Sequence, residues 1–225
     1  MYTYKHLMLF LCVVCVSCAS GRVYDIESIQ GAVVDADTGN PLEGVVVVAF
    51  YEVEKGGWAG SVQTGYLEPV EAVTDSNGHY SMPALGKVDS TRFGGYISKW
   101  APELYFYKFG FSVEMRRNNY REHDWMDDTR YSEWNSKTIE LNRFEGSEEE
   151  YVNNISAFSR ELEWAMSRIG PCMLIGVPMS LRELEKTKTT FKNPRSYNYV
   201  MDSLALYDKL EKCHGYKEFI NAVKK

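Results

Sequence analysis

The sequence predicts a mainly β domain closed by an α-helical tail. Between Ile26 and Leu141, short apolar segments with strand-like alternation are separated by clusters of Gly, Pro, Asn and Asp, the punctuation of an antiparallel sandwich. After Ser147 the apolar spacing lengthens to three and four residues, the period of a helix. The front of the chain speaks to location rather than fold: Lys5 and His6 precede an unbroken apolar run, Leu7 to Val16, followed by Ser17 and Cys18.

Residues 1–17 have the layout of an export signal, with a positive start, an apolar stretch and a small residue before the cut. The run is too short to span a bilayer as a helix, which takes about 20 residues. Cys12, Cys15 and Cys18 are spaced C-x-x-C-x-x-C, but only Val and Ser lie between them. The segment is also expected to be removed, so a metal-cluster reading is set aside. The pair Ser17-Cys18 resembles the lipobox of bacterial lipoproteins, in which the thiol is acylated and becomes the new N-terminus; Cys15 stands where Leu is usual. The resemblance implies a membrane partner through a lipid on Cys18. With Ala19 next, rather than Asp, it implies the outer membrane of the cell envelope. The alternative is cleavage after Ser20, giving a soluble secreted or periplasmic protein. Residues 18–25 would be the tether, reaching roughly 25–30 Å when extended.

Residues 26–142 are the expected sandwich. Ile26 to Asp35 alternates in part, and Asp37-Thr38-Gly39-Asn40-Pro41 is dense turn chemistry. Gly44 to Tyr51 is apolar at every position after the glycine. A strand with one wet face should alternate, so both faces of this one should be covered, with the C-terminal helices as the natural second cover. Residues 54–70 read as a glycine-rich mobile loop. Asp75-Ser76-Asn77-Gly78 is a hairpin signal, with His79 on its solvent face. Leu104 to Val113 reads as an aromatic strand, residues 114–136 as a second polar insertion, and Ser136 to Leu141 as the last strand.

The tail, residues 147–225, opens with a capping box from Ser147 to Glu150. Tyr151, Ile155, Phe158, Leu162, Ala165 and Ile169 form an apolar stripe stopped by Gly170-Pro171. A weaker helix is expected from Leu181 to Lys186, and a second long stripe from Val200 to Leu210. Cys172 and Cys213 are the pair left besides Cys18 once the signal is removed. In an oxidising compartment they are expected to form a disulfide clamping the helical hairpin; the other reading is two buried thiols.

Gln30-Gly31, Asp35, Thr38-Gly39-Asn40-Pro41-Leu42, Gly44-Val45 and Thr74-Asp75-Ser76-Asn77-Gly78-His79-Tyr80 together resemble the carboxypeptidase regulatory-like, or transthyretin-like, β-sandwich family. The resemblance implies a seven-stranded antiparallel Greek-key sandwich and a non-catalytic accessory role. It covers residues 26–85 well and is silent on the tail.

The chain has 25 basic and 31 acidic residues with no basic stripe, which speaks against a nucleic-acid partner. It contains neither G-x-S-x-G nor H-E-x-x-H. No catalytic residue, cofactor or metal is expected. His123, Asp124, Asp127 and Asp128 form the densest ligand-like cluster, read as a solvated loop beside Arg116, Arg117, Arg121 and Arg130. Trp58, Tyr66, Trp125, Tyr131 and Trp134 have two readings. As rings on loops 54–70 and 114–136 they would grip a glycan or peptide; otherwise they fold back over the sandwich edge. The expected role is a structural or protein-interaction module of the envelope, and the alternative a carbohydrate- or peptide-binding module using those loops.

Overall fold

The computed structural model of the chain describes residues 22–57, 60–119, 128–190, 211–215 and 221. The first half of the fold comprises β1 (Val23–Ile26), β2 (Ile29–Asp35), β3 (Val46–Phe50), β4 (Glu52–Gly57), β5 (Gly60–Tyr66), β6 (Val70–Val73), β7 (His79–Met82) and β8 (Gly86–Asp89). A single 3-10 turn at Ser90–Phe93 separates these from β9 (Tyr96–Ile97), β10 (Glu103–Tyr107), β11 (Glu114–Arg117), β12 (Thr129–Arg130) and β13 (Lys137–Leu141). Among the described residues two α-helices follow, α1 (Glu148–Ile169) and α2 (Pro178–Thr190), with a 3-10 helix at Pro171–Gly176 between them.

The hydrogen-bonded sheets are β12-β1-β8, β13-β2-β7, β11-β10-β3-β6 and β5-β4-β9. They resolve into two layers, because the first two contain the same three chain segments. β1 runs into β2, β7 into β8 and β12 into β13, each across a short break. The last two sheets are likewise joined through β3–β4, β5–β6 and β9–β10. Among the described residues this is a sandwich of three long segments against four, followed by a helical tail. Most ladders are antiparallel. The pairs β1–β12 and β2–β13 are parallel, since the chain returns to this layer only after crossing the other one.

Three expectations are corrected. Residues 54–70 are not a loop: Glu52–Gly57 and Gly60–Tyr66 form an antiparallel hairpin with a register shift at Val53/Glu54. The aromatic strand ends at Tyr107, and the stretch after it turns back as β11. The sandwich begins before Ile26: β1 starts at Val23, and the Arg22 carbonyl already accepts the backbone N–H and the hydroxyl of Ser90, both at 3.1 Å. Arg22 to Asp25, expected to precede the sandwich, are therefore part of it.

The turn after β2 is built by Asp35. One carboxylate oxygen accepts the backbone N–H groups of Asp37 and Thr38 at 3.1 and 3.2 Å; the other meets Arg143 at 2.7 Å. The adjoining hairpin requires glycine at position 78, where φ is +75° and a Cβ would lie 2.5 Å from the Val33 carbonyl.

The strand that reads as apolar throughout is buried throughout. Val47 and Ala49 face the inter-sheet core with Val33, Tyr80, Leu104, Phe106 and Ile139. Val46, Val48 and Phe50 face the other way, into a second core with Tyr105, Tyr107 and the inner stripes of α1 and α2. That stripe on α1 comprises Tyr151, Ile155, Phe158, Leu162 and Ala165. The Ser147 hydroxyl accepts the Glu150 N–H, and the Glu150 carboxylate accepts the Ser147 N–H at 2.7 Å. The helix stops at Gly170.

α2 starts at Pro178, whose missing N–H costs nothing in a first turn. The turn is docked on the sandwich by Glu71 of β6, which accepts from the N–H groups of Met179 and Ser180 and from the Ser180 hydroxyl at 2.7, 3.0 and 2.8 Å. A carboxylate there also complements the helix dipole. Cys172 and Cys213 form a disulfide with Cα atoms 5.5 Å apart. The stripe from Val200 to Leu210 lies outside the described residues. Among the described residues no helix is long and apolar enough to cross a membrane.

Candidate functional site

The face of the central sheet that carries Val46, Val48 and Phe50 continues, by strand alternation, to Glu52 of β4. The face that carries Tyr107 and Tyr105 continues to Glu103 of β10, which lies opposite Phe50. α1 brings Glu161 onto the same spot. Carboxylate oxygens of Glu52, Glu103 and Glu161 all lie within 4.8 Å of one another. Around them, the Tyr66 hydroxyl donates to Glu161 Oε1 at 2.5 Å and the Gln63 amide donates to Glu52 Oε1 at 2.9 Å.

Burial governs the charge state of this cluster. It pushes the Glu52 carboxyl up to about 7, helped by the neighbouring charges of Glu103, Glu161 and Glu54 and opposed by Arg117. Burial also raises Glu103, with Glu161 adding and Arg117 opposing. It raises Glu161, against the Tyr66 hydrogen bond. The phenol of Tyr66 is itself raised, first by burial and then by its bond to Glu161. Three oxygens so placed could hold a hard divalent cation. Their raised proton affinities equally suit carboxyls that share protons under a helix.

The two chemistries predict opposite responses to pH. A carboxyl with a raised folded-state pKa keeps its proton where the unfolded chain has lost it. Stability then falls as pH rises from about 4.5 to about 7. Glu52→Gln removes that loss. Discounted for the partial exposure of the group, the variant is expected to be more stable than the parent by about 1–2 kcal/mol above neutrality, with the difference vanishing in acid. Urea midpoints of both proteins across the pH range test this. A parent whose midpoint rises with pH, or on adding calcium, would assign the cluster to a cation.

Of the five rings proposed for ligand binding, three lie among the described residues, and each is engaged in a different part of the fold. Tyr66 is a correction: it is 1% exposed, at the end of β5 opposite Glu52, because its alternation turns it under α1 and not into a loop. Trp134 packs against the inter-sheet core. Its indole N–H donates to the Arg117 carbonyl at 3.1 Å and its ring carries the Arg116 guanidinium at 5.0 Å. Tyr131 is half-buried, and its carbonyl accepts from the Asn118 side chain, which also bonds the Ala101 carbonyl. Trp58 and Trp125 lie outside the described residues, as do Cys18, His123, Asp124 and Asp127. Asp128 is ion-paired with Arg22. His79 is exposed, on the rim of a shallow polar trough of about 530 Å³ across β13, β2 and β7.

No protein-family model matches the chain, and no curated protein matches its sequence. Among solved structures it is similar to 3-chlorocatechol 1,2-dioxygenase from Rhodococcus opacus 1CP, with 15% identity over 57% of this chain and 62% of that one and a TM-score of 0.32. It is also similar to catechol 1,2-dioxygenase from Pseudomonas arvilla C-1, with 15% identity over 58% and 55% and a TM-score of 0.29. The plantain pollen allergen Pla l 1 gives 12% identity over 54% and 96%, with a TM-score of 0.27. The chain thus spans less than two-thirds of the length of the dioxygenases. At these scores the likenesses carry no inference about activity.

Proposed function

We propose that this chain is a non-catalytic envelope lipoprotein, a regulatory-like sandwich held on the outer membrane by an acylated Cys18 and acting as a structural or protein-interaction module. One observation supports it above the others: Arg22, four residues after Cys18 of the lipobox-like Ser17-Cys18, is already hydrogen-bonded into the sandwich. A lipid at that sulfur, with three residues between it and Arg22, would hold the domain close to the bilayer. Three polar side chains packed into the fold have structural work. Asp35 builds a turn, Asn118 ties three backbone segments together, and Glu71 seats α2. Several acyl chains on one N-terminus hold firmly, each buried methylene contributing about 0.8 kcal/mol.

Cys18→Ala tests the reading. The parent is expected in the membrane fraction and the variant in the soluble fraction, with equal folding by circular dichroism. A variant that still sediments with membranes contradicts it.

A further inference from the structure

We infer that the end of the sandwich bearing Val23, Phe93 and Tyr96 is the surface that rests on the lipid bilayer, with the two rings at headgroup depth. The inference depends on acylation of Cys18 and goes beyond it, since an anchored domain could in principle present any face to the membrane.

Three residues, Ala19 to Gly21, separate Cys18 from Arg22. Even fully extended, they allow a sulfur held at the bilayer to lie only about 14 Å from Arg22 along the backbone. Arg22 is fixed to the fold: its carbonyl is held by Ser90 and its guanidinium by Asp128. Whatever surrounds Arg22 and Ser90 must then lie at the membrane.

Val23 is opposite Asp89. The chain leaves Asp89 into the 3-10 turn Ser90–Phe93, which Gly94 closes at φ +80°. Gly95 packs on the Glu54 carbonyl, and Tyr96 then pairs with Glu54. Phe93 thus ends the turn that Ser90 opens beside Arg22, and Tyr96 starts β9 three residues further on. Seven large apolar side chains are exposed among the described residues; of these, Val23 at 49% follows Arg22, Phe93 at 38% ends the turn and Tyr96 at 36% starts β9, on the outer faces of the two layers at this end. Exposing rings at such a place costs a water-soluble surface free energy, whereas aromatic side chains favour the membrane–water boundary. Arg92, exposed within the same turn, adds attraction to anionic headgroups.

The opposite end supplies the control. β1 continues into β2, and the hairpin turn at Asn77 lies beside the far part of β2, where Gly78 bonds Val33. Asn77 is exposed and lies the length of the sandwich away from Arg22.

The test uses the full mature protein with its natural N-terminus, in vesicles of phosphatidylethanolamine and phosphatidylglycerol. A photo-crosslinking residue, benzoylphenylalanine, is placed at Phe93, at Tyr96 or at Asn77. Phospholipid adducts are expected to form several-fold more from positions 93 and 96 than from position 77. Equal adduct yields from an acylated, vesicle-bound protein would overturn the orientation while leaving the anchor intact. The mass of the N-terminal peptide is read from the same samples. An unacylated Cys18, or its absence from the mature chain, would overturn the anchor and this inference with it.

Discussion

Phe158→Ala is expected to destabilise the whole protein by about 3–5 kcal/mol, the usual cost of deleting a fully buried ring. Phe158 is 0% exposed and lies 5.7 Å from the ring of Tyr105 and 5.5 Å from that of Tyr107. Both tyrosines belong to β10, whose opposite face carries Leu104 and Phe106 into the inter-sheet core. The cavity left on the helix side thus undermines a strand on which both cores depend. The urea midpoint should fall with one transition seen by both far-ultraviolet and near-ultraviolet dichroism. If the helical signal is lost first and the sandwich melts at its parental midpoint, α1 is an appendage and the shared-strand account is wrong.

Removing the disulfide is the second large effect. The bond between Cys172 and Cys213 closes a loop with a sequence separation of 41 residues. In the chain-entropy model a loop of that size constrains the unfolded chain by about 4 kcal/mol, less whatever strain the native state holds. Cys172→Ala combined with Cys213→Ala is expected to lower the urea midpoint by most of that amount, and a reducing agent should do the same to the parent. Cys213 also packs in the helix-side core, so its alanine replacement adds a smaller packing loss. An unchanged midpoint in both experiments would mean that the ends of the loop are held together without the bond.

The parts of the fold that were legible in the sequence are those whose signals are local or doubled. Gly44 to Tyr51 has no polar position to turn toward water, and this alone implies a second covering layer; Val46 and Val48 on one side and Val47 and Ala49 on the other occupy two different cores. Ser147 and Glu150 announce the start of α1 because capping needs those two side chains three residues apart. The hairpin of β4 and β5 was hidden for the converse reason. Gly56, Gly57, Gly60 and Gly65 dilute its alternation and imitate a loop, although backbone pairing needs no side chain. The carboxyl cluster was hidden by distance along the chain, since Glu52, Glu103 and Glu161 come from two strands and a helix. A signal was present all the same: extending the inward alternation of Phe50 by two residues arrives at Glu52, and stepping back by two from Tyr105 arrives at Glu103. A carboxylate predicted on a covered face is the feature to pursue. The trend of stability with pH will show whether that cluster shares protons or holds a cation.

A lipid on the Cys18 sulfur is proposed to hold the sandwich to the envelope. Mass spectrometry of the mature N-terminal peptide tests it most directly. The account predicts a chain beginning at Cys18 and carrying the mass of its acyl chains. A chain beginning at Gly21 with no added mass would contradict it.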